Sequence, residues 1–357
     1  MSQFHVSTLE GNHLNKQKNE SCTSEVCDFT PKEMDGVKVL ITGGLGFIGS
    51  NLAHTLVKLG ADVKIYDALL KGYGANWANI EEIMNKVNVV VGDVRDYEKL
   101  KSLVAEANVI FHCASQVSRL LSMSNPKLDI EINCIGTINV LEAARNSENN
   151  EVKVIYAGSR ASAGFAKKLP VDEETPVDPA DIYGVNKLAS EMYLKIYHNA
   201  YGLKTTTLRL NNCYGPRAQM KTPNYGIINW FIRMALEDKT LTVYHPGTML
   251  RDYVYIDDVV KALILASQHN EAVGQMFYVG SGKPISIIDL ANKIVNIAHN
   301  GKIRMVSSPK EWSSIEIGDF YSSYAKIERL GWKPETSIET GLMKTIDFYR
   351  ERLYMYC

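Results

Sequence analysis

The chain has 357 residues and an almost balanced charge, with 39 basic and 40 acidic residues and a formal net charge of −1. This balance gives no indication of a nucleic-acid or membrane partner, since such partners usually require a basic surface. No apolar run approaches the roughly 20 residues of a membrane span. Residues 1–34 have no apolar signal-peptide core, so we expect a cytoplasmic protein. A prior of about 150 residues per domain suggests two domains, after a poorly ordered tail over 1–36.

The most informative stretch covers residues 38–49 and reads Lys-Val-Leu-Ile-Thr-Gly-Gly-Leu-Gly-Phe-Ile-Gly. The apolar run Val39–Ile41 predicts a buried strand, and the periodicity of Phe47–Leu59 predicts a helix. The glycines between them have the spacing of a dinucleotide-binding turn. There they allow a tight turn, close approach to a pyrophosphate, and close packing of helix on strand. The phosphate then contacts free N–H groups at the helix N-terminus. We therefore predict cofactor contacts at Gly43, Gly46, Phe47, Ile48 and Gly49.

A second predicted strand, Ala61–Tyr66, ends in Asp67, which lies 18 residues after Gly49. A carboxylate at this position can accept hydrogen bonds from the ribose diol of adenosine, and it would repel a 2′-phosphate. The glycine turn and Asp67 together predict NAD rather than NADP as the cofactor. The competing interpretation is an ordinary glycine turn with a solvated aspartate at the strand end.

Strands and helices alternate along the first two thirds of the chain. Repeated β-α-β alternation with short apolar strands predicts a parallel sheet covered by helices on both faces. Right-handed crossovers then give a doubly wound α/β (Rossmann) fold. We expect a dinucleotide-binding domain over 37–211, joined by 252–270, and a smaller α+β substrate lobe over 212–357. The other predicted strands are Val87–Val91, Val109–Phe111, Val152–Ala157 and Thr205–Leu210, and the other predicted helices are Tyr97–Ala105, Ile130–Arg145 and Ile182–Tyr201.

The six cysteines are scattered, without Cys-x-x-Cys pairs or histidines at zinc-site spacing, so we expect no metal. Cys22 and Cys27 can pair in principle, but a reduced cytoplasmic segment is the simpler expectation. His112 and Cys113 stand together at a strand end. We interpret this pair as structural, because no activating partner is nearby in sequence.

Three hydroxyl and amine side chains form a candidate catalytic group. Tyr183 and Lys187 stand at i and i+4 near the start of a predicted helix, so they share one helix face. A nearby ammonium favours a phenolate, so this pair can move a proton at a sugar or alcohol hydroxyl. Ser159 follows a predicted strand, 24 residues before Tyr183, and its hydroxyl can share that proton. The competing interpretations are a solvated helix face and a serine that merely ends a strand.

These motifs resemble those of the extended short-chain dehydrogenases/reductases, in the NAD-dependent nucleotide-sugar epimerase/dehydratase family. The similarity runs from about Lys38 to the C-terminus. It implies that Ser159, Tyr183 and Lys187 are a catalytic triad and that Lys187 also holds the cofactor ribose. It further implies NAD as cofactor and a nucleotide-diphosphate sugar as substrate. The matching segments are Gly43–Gly49, Gly92–Asp96 and Asn133–Ala143.

The same resemblance assigns further cofactor residues. It implies that Asp93 contacts the adenine, with Val94 beside it in the same turn. It also implies that Asn133 lies close to the active-site turn and belongs to the cofactor site. Tyr183 and Lys187 are expected to contact the cofactor as well.

Two later segments resemble the substrate-binding segments of the family. Arg209–Arg217 reads Arg-Leu-Asn-Asn-Cys-Tyr-Gly-Pro-Arg, and its Asn212 implies a contact with the substrate diphosphate. In Leu250–Asp258 the resemblance implies that Arg251 binds the diphosphate, for which a guanidinium is well suited because it can bind bidentately. Tyr244 falls where an aromatic residue often lies against the nucleotide base. A core aromatic is an equally good interpretation of Tyr244.

Departures from the family pattern narrow the chemistry. Dehydratases carry an Asp-Glu pair just after the catalytic hydroxyl residue, and decarboxylases carry a Glu in the same turn. Here residues 159–164 read Ser-Arg-Ala-Ser-Ala-Gly. No acid is present to remove a sugar C5 proton or assist dehydration, so both reactions are disfavoured. Ala163 replaces a tyrosine, which can widen the sugar pocket. Glu316 stands where the family often has Arg, which puts one phosphate contact in doubt.

Arg160 is an unusual charge beside the predicted catalytic serine. A buried guanidinium needs a partner, because an unpaired desolvated charge is destabilising by several kcal/mol. The partner can be internal, at Asp178 or Asp181 in the loop before Tyr183, and this is the alternative we favour. It can instead be an anionic group on the substrate, of which a uronate carboxylate is the simplest.

The predicted function is that of a nucleotide-sugar epimerase acting through a transient keto intermediate, most simply at C4. Epimerisation at C2 stays open, because Ser115–Val117 and Asp129–Asn133 also resemble 2-epimerases of the family. A nucleotide-sugar reductase or dehydrogenase with the same triad is the nearest enzymatic alternative. A non-catalytic NAD-binding regulator is the alternative of another class. We expect a homodimer through the helices near Asp129–Arg145 and Tyr183–Tyr201.

Overall fold

The computed structural model describes residues 31–310 and 315–357, so the predicted tail lies outside the described residues up to residue 30, as do Cys22 and Cys27. Seven parallel strands form one sheet, which confirms the doubly wound α/β fold. Their order across the sheet is β11-β6-β5-β4-β1-β2-β3. The bounds of these seven are β1 Lys38–Thr42, β2 Asp62–Asp67, β3 Val87–Val91, β4 Val109–His112, β5 Lys153–Ser159, β6 Lys204–Leu210 and β11 Met276–Val279.

The helices lie on both faces of the sheet, and the strands divide their side chains between two apolar cores. In β1, Val39 and Ile41 belong to one core and Leu40 to the other, as the two-residue period of a strand requires. The helices are α1 Phe47–Lys58, α2 Tyr97–Val104, α3 Arg119–Ser124, α4 Pro126–Ile130, α5 Gly136–Arg145, α6 Ile182–Tyr201, α7 Ile227–Leu236, α8 Ile256–Gln268, α9 Ile287–Ala298, α10 Ala325–Glu328 and α11 Ile338–Arg352. Residues of α1 and α8 join the first core, and residues of α2, α5 and α6 join the second.

Some predicted boundaries are confirmed and others are shifted. β3 and α6 have the predicted bounds, but β5 continues past Ala157 to Ser159, so the serine is its last residue. The predicted helix Ile130–Arg145 contains a π-helical turn at Glu131–Ile135 before α5 begins. The 3-10 helix Trp77–Lys86, which packs on α1, was not predicted.

The C-terminal part of the chain places short strand pairs beside the sheet. These are β7 (Asn212–Tyr214) with β10 (Tyr253–Tyr255), β8 (Thr240–Tyr244) with β13 (Lys302–Val306), and β9 (Leu250–Arg251) with β12 (Ile285–Ser286). The chain then returns to the main sheet, where β11 pairs with β6. Phe231 of α7 and Ile294 of α9 share one apolar core with Ile41 of β1. The division at residues 211 and 212 therefore stays a prediction. Within the two described ranges, no helix combines the length and apolarity needed to cross a bilayer.

Candidate active site

A cavity of about 580 Å³ opens at the carboxyl ends of β1, β2, β4 and β5. Ligands of open α/β sheets bind at this edge, and the volume is typical of small-molecule sites. The C-terminal strands β8 and β9 supply part of the opposite wall. Of the predicted site residues, those that line this cavity are Gly43, Gly46, Phe47, Ile48, Gly49, Asp67, Asp93, Val94, Ser159, Arg160, Tyr183, Lys187, Asn212, Tyr244 and Arg251.

At the turn between β1 and α1, Gly43 and Gly49 stand where a side chain would not fit. Gly43 has a φ of +71°, and a Cβ there would lie 2.7 Å from the backbone nitrogen of Ala114. A Cβ on Gly49 would lie 2.4 Å from the carbonyl oxygen of Gly43. No side chain caps the N-terminus of α1 at Gly46. Its first N–H groups therefore face the cavity without a capping acceptor, which suits a phosphate.

Asp67 ends β2 and is held in place by the glycine turn itself. Its carboxylate accepts hydrogen bonds from the backbone N–H of Leu45 at 3.0 Å and of Leu69 at 2.9 Å. Burial raises the pKa of Asp67, and the two backbone hydrogen bonds oppose this effect. The carboxylate lines the cavity beside the turn, as a ribose-binding residue would.

Asp93 lies further along the same edge of the sheet and carries its own counterion. Arg95 donates to its carboxylate from Nε at 3.0 Å and from Nη2 at 2.7 Å. Burial alone would raise the pKa of Asp93, but the hydrogen bonds from Arg95 lower it overall. An adenine that contacts Asp93 would therefore share its carboxylate with Arg95.

Asn133 is the predicted cofactor residue that does not line the cavity. It is buried, and its Oδ1 accepts hydrogen bonds from the Ser115 hydroxyl at 2.7 Å and from the Gln116 backbone at 3.0 Å. Its Nδ2 donates to the Gln116 carbonyl at 2.9 Å. These bonds hold the loop after β4, and the expected cofactor contact of Asn133 stays a prediction.

Ser159 stands at the junction of β5 and a 3-10 turn, Arg160–Ser162. Within the sheet it pairs with Leu210 of β6. Its hydroxyl accepts a hydrogen bond from the Ala161 N–H at 3.2 Å, which caps the turn. The serine and its neighbour Arg160 are therefore both fixed at the carboxyl edge of the sheet and both line the cavity.

Tyr183 is brought to the cavity by the first turn of α6. Asp181 caps this helix by accepting a hydrogen bond from the Gly184 N–H at 2.8 Å. Tyr183 is only 7% exposed. Burial raises the pKa of its phenol well above the ordinary value, while the Ser159 hydroxyl and the Arg160 charge act in the opposite direction. The phenol is therefore protonated at neutral pH in the ligand-free protein.

Lys187 lies one helical turn later and points toward the end of β5. Its ammonium donates to the Ala157 carbonyl at 2.9 Å and sits 4.2 Å from the centre of the Tyr156 ring. Burial lowers the pKa of Lys187 to about 8, and the carboxylate of Glu191 opposes this effect. The expected lowering of the phenol pKa of Tyr183 is outweighed by burial in the ligand-free protein.

Arg160 contacts an amide and an aromatic ring. Its Nε donates to Oδ1 of Asn212 at 2.9 Å, and its guanidinium carbon lies 5.1 Å from the centre of the Phe320 ring. Burial and the charges of two other arginines lower the pKa of Arg160 to about 9. It is still a cation at neutral pH.

The expected internal partners of Arg160 are engaged elsewhere. Asp178 pairs with Lys167 at 2.5 Å, and Asp181 pairs with Arg119. Within the described ranges, no carboxylate oxygen forms an ion pair with Arg160 at 4.0 Å or less. The expectation of an internal carboxylate partner is therefore wrong, because both candidate aspartates already neutralise other cations.

Arg251 is paired internally, unlike Arg160. Its guanidinium binds the carboxylate of Glu316, and it also donates to the carbonyls of Leu250, at 2.8 Å, and Gly318. Glu316 lines the cavity too. Glu316, which stands where the family often has Arg, therefore neutralises Arg251, the residue that was predicted to bind the diphosphate.

Tyr244 ends β8 in the wall of the cavity and is partly exposed there. This position favours a ligand contact over the alternative of a core aromatic.

The contacts of His112 agree with the structural role expected for it. It is buried and within hydrogen-bond distance of Thr42 Oγ1, at 2.7 Å, and Thr137 Oγ1, at 3.1 Å. Burial lowers its pKa to about 3, so it is neutral.

Arg119 is a cavity residue that the sequence analysis did not identify. It binds Asp181, the cap of α6, and also donates to the carbonyl of Ile315. It comes shortly after Ser115–Val117, a segment already singled out in the sequence. The general rule that loops after strand ends line the ligand crevice would have indicated it.

The glycine turn, Asp67 and the serine, tyrosine and lysine together define a class of protein. A dinucleotide site and an acid–base tyrosine meet in one cavity at the carboxyl edge of a parallel sheet. This combination is that of a short-chain dehydrogenase/reductase.

Comparison with known proteins places the chain within that class. A family described as GDP-mannose 4,6 dehydratase matches residues 40–345, and the chain belongs to this family of nucleotide-sugar epimerases and dehydratases. A putative UDP-glucose 4-epimerase of Methanocaldococcus jannaschii is 34% identical over 87% of this chain and 98% of its own. An epimerase structure from Methanothermobacter thermautotrophicus superposes with a TM-score of 0.84 at 28% identity, covering 90% of this chain and 94% of its own. A Thermus thermophilus UDP-glucose 4-epimerase in complex with NAD has a TM-score of 0.79 at 27% identity, covering 88% of this chain and 100% of its own.

Proposed function

We propose that the protein is an NAD-dependent nucleotide-sugar epimerase that inverts a sugar hydroxyl, most simply at C4. The observation that carries this proposal is that Ser159, Tyr183 and Lys187 line one cavity with the glycine turn and Asp67. An acid–base group and a dinucleotide site are thereby within reach of the same sugar hydroxyl. The names of two similar proteins, both UDP-glucose 4-epimerases, support the reaction class.

The residues present fit NAD, since glycines of the turn leave room for a pyrophosphate, the start of α1 is uncapped and Asp67 is placed for a ribose diol. NAD, when bound, supplies a reversible hydride acceptor. Tyr183 then takes the proton of the reacting sugar hydroxyl and later returns it, and Ser159 shares that proton. Because burial holds Tyr183 protonated in the ligand-free protein, loss of its proton must be coupled to ligand binding. Lys187 is the cation nearest in sequence that can provide this coupling.

Epimerisation is favoured over dehydration by the acids around the cavity. The turn after Ser159 has none, and the acidic residues that line the cavity within the described ranges are Asp67, Asp93 and Glu316. Each of them is engaged, by backbone N–H groups or by an arginine. A free carboxylate able to remove a C5 proton is therefore not among these cavity residues.

The test is a product analysis with the full-length protein. UDP-glucose and UDP-galactose are incubated separately with the protein in D₂O without added NADH, and the sugars are followed by proton NMR. Interconversion of the two without deuterium at C5 is the expected result. A 4-keto-6-deoxy product, or deuterium at C5, would contradict the proposal.

The same spectra separate the other candidates. A C2 epimerase would form the manno isomer instead, which the resemblance of Ser115–Val117 and Asp129–Asn133 to 2-epimerases leaves open. A reductase would need stoichiometric NADH. A non-catalytic NAD-binding protein would bind nucleotide without changing any sugar of a UDP-, dTDP-, CDP- and GDP-sugar panel.

A further inference from the structure

Three guanidinium groups surround the part of the cavity that contains Ser159. They belong to Arg119, Arg160 and Arg251, which we call the arginine cluster, and all three line the cavity. Their charges influence one another, since Arg251 and Arg119 both lower the pKa of Arg160. Three like charges in one partly desolvated site repel one another unless anions accompany them.

Two members of the arginine cluster have protein carboxylates as partners. Arg119 binds Asp181, and Arg251 binds Glu316. Both also donate to backbone carbonyls. The two carboxylates balance two of the three charges, so one positive charge of the cluster has no counterion within the described ranges.

That remaining charge is on Arg160. The contacts of its guanidinium group show which of its nitrogens are still available to a ligand. Nε donates to Asn212, and the guanidinium carbon lies over the Phe320 ring. The terminal nitrogens Nη1 and Nη2 make no hydrogen bond to the described residues, whereas Nε does. A pair of terminal guanidinium nitrogens matches the two oxygens of a carboxylate.

We propose that Arg160 binds a carboxylate carried by the sugar of the substrate, so that the substrate is a nucleoside diphosphate uronate or another carboxylate-bearing nucleotide sugar. This proposal rests on the proposed function, because it assumes that a nucleotide sugar occupies the cavity. It replaces the internal partner that the sequence suggested with a partner supplied by the ligand.

The position of Arg160 distinguishes a sugar carboxylate from the diphosphate, which is also an oxyanion. Arg160 directly follows Ser159, and both are fixed by the same 3-10 turn. Ser159 acts at the reacting hydroxyl, which is at C4 in the proposed reaction. In a hexopyranose C6 is attached to C5, the neighbour of C4, whereas the diphosphate is attached to C1 across the ring. A cation beside Ser159 is therefore within reach of a C6 carboxylate. Arg160 also donates to Asn212, which the resemblance assigns to the diphosphate, so the diphosphate is the competing anion, and titration with UDP separates the two.

The experiment is isothermal titration of the full-length protein with UDP, UDP-glucose and UDP-glucuronate. The parent should bind UDP-glucuronate more tightly than UDP-glucose. Arg160→Gln should reduce this preference about 10- to 100-fold, the range for hydrogen bonds to a charged group. Arg160→Lys should keep part of the preference, since it retains the charge but not the paired nitrogens.

Arg251→Gln is the matched control within the arginine cluster. It removes a guanidinium from the same cavity, and it should weaken UDP, UDP-glucose and UDP-glucuronate by similar factors. Binding of NAD and the thermal midpoint verify that each variant is folded. If Arg160→Gln fails to fold, Arg160→Lys and Arg160→Met provide the same comparison.

Two results would overturn the carboxylate site. One is equal loss of UDP, UDP-glucose and UDP-glucuronate in Arg160→Gln, which would make Arg160 a phosphate ligand. The other is a parent protein that binds UDP-glucuronate no better than UDP-glucose.

The NMR assay tests the epimerase separately. For this purpose the NMR assay is repeated with UDP-glucuronate. Conversion of UDP-glucose without a uronate preference retains the epimerase and rejects this inference, whereas an Arg160-dependent preference without conversion of either UDP-glucose or UDP-glucuronate does the reverse.

Discussion

Tyr183 is the residue on which the proposed chemistry depends, and the ligand-free protein does not prepare it as a base. Burial raises the pKa of its phenol, and the serine and arginine next to each other in the turn after β5 only partly offset this. The lysine of the same helix face donates instead to a carbonyl of β5. Activation of the tyrosine is therefore a property of the liganded site.

Tyr183→Phe should keep NAD binding and lower kcat about 10²–10⁴-fold, since this is the usual contribution of a positioned acid–base group. The phenyl ring fills the same buried volume, so the fold should be unaffected. Turnover by NMR and NAD binding by titration check both statements. Near-parental turnover would mean that another group moves the proton.

Asp67→Ala should narrow the preference for NAD over NADP, because it removes the charge that would repel a 2′-phosphate. Asp67→Asn is the matched variant, since it also removes the charge but keeps one oxygen, which can accept from either the Leu45 or the Leu69 N–H group. Titration of each protein with both nucleotides gives the ratio of affinities. An NADP affinity unchanged in both variants would reject the assignment of Asp67 to the ribose.

At the scale of secondary-structure elements, the sequence predicted a strand or helix correctly where its own residues carry the signal for it. β3 and α6 were predicted to their bounds, because clear signals flank them: Gly92-Asp93 follows β3, and α6 lies between Asp181 and Gly202. The π-helical turn at Glu131–Ile135 was read as part of one helix, because its sequence keeps a helical period. β9 and β12 are two residues long and are formed by pairing with each other, which no local pattern indicates.

Two neighbouring helical segments present apolar side chains to solvent. Val185 and Ile196 on α6 are 52% and 55% exposed, and Ile135 in the π-helical turn is 44% exposed. Helices that cover a sheet can instead bury their apolar faces on it, but these three side chains do not. An uncovered apolar stripe of this kind is typical of an interface between copies of a chain.

Ile196→Glu should therefore weaken a homodimer by at least about tenfold, because it places a charge in an apolar contact. Met343→Glu, on α11 and 47% exposed, is the control away from this stripe. Light scattering over a range of micromolar concentrations measures both. A parent protein that is monomeric throughout would refute the dimer.

On the scale of the whole molecule, the site residues that belong to local motifs could be predicted from the sequence. The contacts between residues that are far apart in the sequence could not. The glycine turn and the three proposed catalytic residues follow motifs with fixed spacing. The ion pairs of Arg119 and Arg251 join residues 62 and 65 positions apart, so nothing near either residue indicates its partner. The wrong partner assigned to Arg160 has the same cause, since the choice among nearby aspartates depends on which other cations fold beside them.

The buried Lys187 links global stability to pH. Its pKa is lowered from 10.5 to about 8 in the folded protein, so the unfolded chain binds this proton more strongly. The burial of the charged form therefore destabilises the fold fully below about pH 8, and this destabilisation is relieved as the pH rises towards 10.5.

Lys187→Met should accordingly change the free energy of unfolding in a pH-dependent way. Relative to the parent, its stability should be greatest at pH 7 and should fall between pH 8 and 10, by up to about 3 kcal/mol. Urea unfolding of the nucleotide-free proteins at several pH values measures the difference. Lys168→Met, an exposed lysine paired with Asp172, serves as the control. A difference that is constant with pH would contradict a lowered pKa for Lys187.

The return of the chain to the main sheet through β11 has a consequence for how the protein can be divided. A fragment that ends after Leu210 and before Met276 contains every residue of the glycine turn and the catalytic group, but it lacks the strand that covers the edge of β6. That edge would then offer unpaired N–H and C=O groups to any other chain. Expression of the nucleotide-binding half alone is therefore a route to aggregation, and a functional split of this protein requires both pieces to be present while they fold.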